Sequence, residues 1–184
     1  MRKLLLLILT LLPLLASAQA AMKTHCTPPN IDISLKHFNY CIAPEQTSKL
    51  SFHTFSDNSY SMVISNKESE LFLNWLPSSI ALADLPKKYG LAPLTFLEQL
   101  FNGKIQEQKP HGHKIGAVFG DIDTSELFVE KVKGSYIFSA LNDSGQNTAF
   151  LLLENSDWLL QIDGKFDKRT LIQIIDRTRL VGSL

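Results

Sequence analysis

Two histidines separated by one glycine, His111 and His113 in QKPHGHK (residues 108–114), come closest in this chain to the type and spacing of metal ligands. In an extended segment, side chains two apart share a side, so both imidazoles would offer nitrogens to one Zn²⁺ or Cu²⁺. Two ligands do not complete a site, because even an open zinc site takes three from the protein. The remaining histidines, His25, His37 and His53, are scattered, and Lys109 and Lys114 would repel a cation. The same run, Lys109, His111, His113 and Lys114, suits contact with an anionic ligand or lipid headgroup, tightening below about pH 6.5 as the imidazoles gain charge. Pro, Gly and charge at this density mark a solvated loop in either case. No cofactor is expected.

A second run, this one acidic, fails as a calcium loop. Asp121, Asp123 and Ser125 in GDIDTSELFVEK alternate as oxygen ligands should. Glu126 then stands where glycine must make the turn, and Val132 where a bidentate carboxylate belongs. There is no G-x-S-x-G elbow, H-E-x-x-H pair or phosphate-cradling glycine loop. A hydrolase with a Ser-His-Asp triad assembled in space stays open as an alternative, because triads are defined by geometry rather than chain order. Trp75 and Trp158 lie among leucines and are expected in the core.

Residues 1–20, MRKLLLLILTLLPLLASAQA, have a basic start, an apolar run broken by Pro13, and small residues at Ala16, Ala18 and Ala20. This is the pattern of a secretory signal peptide, which places the mature start at Gln19 or Ala21 and leaves residues 21–184 as one domain. The later sequence holds no apolar stretch long enough for a second anchor. Cys26 and Cys41, the only cysteines, both lie past the leader. Export and an even count read as one disulfide. Loss of Arg2 and Lys3 from a balance of 18 basic and 18 acidic side chains leaves the mature chain two charges negative. That is too little positive field for a nucleic-acid binder.

The elements that must position these residues follow from periodicity. HFNYCI, SKLSFHTF and YSMVIS alternate as strands of an antiparallel meander. ELFLNWLP (residues 70–77) fits a strand or a helix equally well. Pro93 opens a helix to Phe101, stopped by Asn102-Gly103. KIGAVFGD, ELFVEKV, SYIFSAL, TAFLLLE and WLLQID read as strands at hairpin spacing. Asp167 caps a last helix in which Leu171, Ile174, Ile175 and Thr178 form one stripe, with Arg177 and Arg179 in its final turns. The fold class is α+β: one domain, an antiparallel sheet packed by a central helical segment and a C-terminal amphipathic helix.

This order of meander, helical segment, long antiparallel strands and the closing WLLQIDGKFDKRTLIQIIDR resembles small exported PsbP-like and DcrB-like domains over most of the mature chain. The resemblance implies an α-β-α sandwich whose members mostly act as binding or assembly factors rather than enzymes, and it carries no site residue. The expected function is an exported, non-catalytic binding or assembly protein, periplasmic or secreted, with a protein or small ligand of the cell envelope as partner. Metal binding through His111 and His113 and an unrecognised hydrolase triad are the alternatives.

Overall fold

The computed structural model describes residues 26–55, 58–105, 112–119, 125–132, 134–143 and 146–181. The leader (residues 1–20), His25, Lys109, His111, Asp121 and Asp123 lie outside them. The fold is α+β, built on two antiparallel sheets.

The larger sheet joins two meanders. Strands β3 (Lys49–Thr54), β4 (Tyr60–Ser65) and β5 (Glu70–Pro77) form one, and β6 (Glu126–Val132), β7 (Ser135–Leu141), β8 (Gln146–Leu153) and β9 (Trp158–Lys165) the other. They meet where β5 pairs with β9, giving the order β3-β4-β5-β9-β8-β7-β6. The chain leaves this seam at Pro77 and returns at Trp158, its cross-strand partner. The ambiguity at residues 70–77 resolves as strand: Leu73 and Trp75, two apart, are buried on one face.

Central strands are apolar on both faces because both are covered. In β8, Ala149 and Leu151 enter one core while Phe150 and Leu152 enter the other. The second core is closed by α1 (Ser78–Ala81), α2 (Leu85–Lys88), α3 (Pro93–Phe101) and α4 (Gly112–Phe119). Pro93 begins α3 as expected, and Phe96, Leu97, Leu100 and Phe101 form its buried stripe.

The opposite face carries α5 (Lys168–Asp176) and a three-stranded sheet ordered β1 (Ile31–Ser34), β2 (Phe38–Ile42), β10 (Thr178–Leu180). The Asp167 side chain caps α5 by accepting from the Thr170 N–H at 2.7 Å. Leu171, Ile174 and Ile175 point into the core, as the spacing predicts.

Three expectations change. KIGAVFGD is not a strand: residues 112–119 are α4, with Ile115 and Phe119, one turn apart, buried, and Gly116 and Ala117 exposed. A short apolar run fits both periods, and edge-to-face packing of Phe119 on Phe101 and Phe150 fixes the helix. HFNYCI does not join the first meander, because a 3₁₀ turn at Pro44–Gln46 separates β2 from β3 and β2 pairs with β1 and β10 instead. The last helix ends at Asp176, and Thr178 and Arg179 belong to β10. The Thr178 hydroxyl donates to the Ile174 carbonyl at 2.7 Å, closing the helix end where the strand begins.

Candidate functional site

The end of α5 and strand β10 bridge one end of the large sheet, and a cavity of about 510 Å³ lies beneath them. This is within the usual span of small-ligand sites, roughly 300–1,000 Å³. Its base comes from Val132, Ile137 and Leu151 on β6, β7 and β8, and its roof from Ile175 and Leu180. Ile137 and Leu151 are themselves buried, so the wall a ligand meets is made chiefly at the rim. There Ser135, Asp176 and Arg179 add a hydroxyl, a carboxylate and a guanidinium.

Local chemistry explains why these groups stand there. The Cys41 N–H donates to the Arg177 carbonyl at 2.9 Å, and the Arg177 side chain donates to the Gln46 side-chain oxygen at 3.3 Å. Burial pushes the Tyr40 hydroxyl's pKa upward, against the opposing pull of the Arg177 charge and its hydrogen bond. Arg177 therefore ties the helix end to β2, and β10 continues as an antiparallel partner in the register Thr178–Tyr40, Arg179–Asn39, Leu180–Phe38. Opposite Arg179, Asn39 supplies no counter-charge, and Arg179 makes no ion pair among the described residues.

The floor row continues sideways into an aromatic cluster. Cross-strand register runs Ile137, Leu151, Leu160, Trp75, Tyr60 on one face. Above this row the His37 ring stacks on Trp75 with centroids 5.0 Å apart and planes 9° from parallel. Trp158 lies 6.1 Å from Trp75 and 6.5 Å from His37, also nearly parallel. The His37 backbone N–H donates to the Tyr60 hydroxyl at 3.1 Å. Burial, with Lys36 adding to it, lowers the pKa of His37, and burial pushes the Tyr60 phenol up to about 12. The stacked rings lie on the same face of the sheet as the cavity base, with Leu160 between Leu151 and Trp75 in the cross-strand row. Trp75 is core, as expected, whereas Trp158 remains partly exposed.

The residues singled out by sequence are distributed differently. Cys26 and Cys41 are joined as a disulfide, Cα atoms 5.4 Å apart, which fastens the start of the described chain to β2. The backbone of His113 and Lys114 falls in the first turn of α4, while Lys109 and His111 lie outside the described residues. Among the described residues, no group of three or more His, Cys, Asp or Glu side chains is placed to hold a metal ion. His53 and Ser61 face each other across β3 and β4, and no hydrogen bond joins them among the described residues. Asp176, Arg179 and Leu180 give no sequence signal beyond the i, i+2 spacing of Thr178 and Leu180, which the preceding helical period hides.

Comparison of the chain with protein-family models, with curated proteins and with solved structures gives no match.

Proposed function

We propose that this chain is an exported, non-catalytic binding or assembly protein of the bacterial periplasm or cell exterior, and that it takes its ligand in the cavity between α5, β10 and strands β6 to β8. The observation that carries the reading is the composition of that cavity. Partly exposed apolar side chains at Val132 and Leu180, beside the hydroxyl residues Ser135 and Thr178, one cation (Arg179) and one anion (Asp176), form the pattern of a site that sequesters an apolar group and orients it by a few polar contacts. The leader and the Cys26–Cys41 disulfide support an oxidising compartment outside the cytoplasm. The resemblance of the sequence layout to PsbP-like and DcrB-like domains favours binding rather than turnover.

The test uses protein recovered from the exported fraction, with loss of the leader checked by intact mass. The apolar fluorophore 1-anilinonaphthalene-8-sulfonate is titrated into the folded chain. One saturable site is expected, weakened at least tenfold by Ser135→Trp, which puts a ring into the mouth without enlarging a core side chain. Circular dichroism and thermal unfolding confirm that the variant folds. Absence of saturable binding to the native chain, or binding that Ser135→Trp leaves unchanged, removes the cavity from the reading.

A further inference from the structure

The edge of β10 that borders the cavity carries a more specific signal. In an antiparallel pair, residues alternate between those that exchange hydrogen bonds with the partner strand and those that direct both groups away from it. Cys41 N–H to Arg177 carbonyl (2.9 Å) and Val181 N–H to His37 carbonyl (2.8 Å) fix the phase between β10 and β2. Arg179 therefore exchanges bonds with Asn39, and Leu180 directs its N–H and C=O away from β2, along the free edge. Neither group has a partner among the described residues.

The β6 edge of the large sheet is guarded differently. Strand β6 carries Glu126, Glu130 and Lys131 along seven residues, and Lys168 bridges to Glu126 at 2.7 Å. Charge of this kind blocks edge pairing. The β10 edge instead borders the cavity at Val132 and Ser135.

Resting on the reading above, we propose that the cavity accepts an extended polypeptide segment of a partner protein, which adds to β10 as a fourth strand of the small sheet. The segment has the local pattern apolar–acidic–apolar. Thr178 and Leu180 face the core, so residues aligned with them point down toward Val132 and Ser135 and are apolar. The residue aligned with Arg179 points outward beside an exposed, unpaired guanidinium and is acidic. On this edge Arg179 occupies a non-hydrogen-bonded position, where opposing side chains approach most closely. Backbone pairing supplies affinity, and alternate side chains supply selection.

Fluorescein-labelled heptapeptides centred on Val-Glu-Val and Val-Lys-Val, titrated by fluorescence anisotropy, test this. The acidic peptide is expected to bind the native chain about fivefold more tightly than the basic one, and Arg179→Glu to invert that preference. Arg179 is exposed, so the charge reversal leaves the core intact. N-methylation of the peptide backbone at the residue paired with Leu180 is expected to abolish binding. If the fluorophore of the preceding experiment binds and neither peptide does, the strand-addition proposal is overturned while the cavity reading stands. Equal binding of both peptides, or indifference to N-methylation, also overturns it. Failure of fluorophore and peptides together removes both.

Discussion

Gly164 in β9 is a point of close steric approach. A Cβ there would lie 2.8 Å from the Glu70 carbonyl oxygen and 3.3 Å from the Leu71 side chain. The carbonyl belongs to backbone and cannot rotate aside as a flexible side chain would. Gly164→Ala therefore has to push β5 from β9 at the seam that joins the two meanders. The expected cost is about 1–3 kcal/mol, seen as a lower urea midpoint with unchanged slope; wild-type stability in the variant would contradict the close approach. At this scale the sequence was legible where a residue's chemistry is self-announcing. An even cysteine count after a leader predicts a Cys26–Cys41 bridge, and the two are bonded. Arg179 and Asp176 are ordinary charges following an amphipathic run, and only the pairing of β10 with a strand some 140 positions earlier gives them a role.

For single elements, caps and breakers made the helices readable. Pro93 at the start of α3 and Asp167 at the start of α5 are local signals, and both helices begin where those residues say. The Asp167 carboxylate is held below its usual range by its hydrogen bonds to the Thr170 side chain and backbone. The folded pKa is depressed, so this stabilisation is fully present above the unfolded value near 3.8 and disappears as pH falls through the folded value. Asp167→Asn keeps an acceptor for the Thr170 N–H and removes the titration. Its melting temperature is expected to vary less than that of the parent between about pH 5 and pH 2, while Asp167→Ala melts lower at pH 7. Identical pH profiles for parent and Asp167→Asn would remove the cap from the account. Where no cap or breaker stands, period alone does not separate helix from strand. KIGAVF fits two periods, and the aromatic rings of Phe101 and Phe150 decide it. ELFLNWLP fits two periods as well, and pairing with β4 and β9 decides that one.

The molecule as a whole has a central sheet with a core on each face, and its α+β class was legible from strands at hairpin spacing around two helical segments. The division into two sheets was not, because β2 and β10 are joined by non-local pairing that no window of sequence contains. The disulfide acts at this scale, since it anchors residue 26 to the middle strand of the small sheet. Replacing both cysteines by serine is expected to cost about 3 kcal/mol for a loop of this length, measured by urea unfolding of the double variant against the parent. Reductant should lower the parent to the same midpoint and leave the variant unmoved. A parent insensitive to reductant would show that the bridge contributes nothing to stability.

Strand β10 gives the order of synthesis a meaning. A polypeptide emerging from its first residue onward presents β1 and β2 early and can lock them with Cys26 and Cys41, but it waits for Thr178 to Leu180 before the third strand exists. Until then the cavity lacks the part of its lining that Thr178, Arg179 and Leu180 provide. A chain clipped before Thr178 keeps all seven strands of the large sheet and leaves β2 with β1 as its one neighbour in the small sheet.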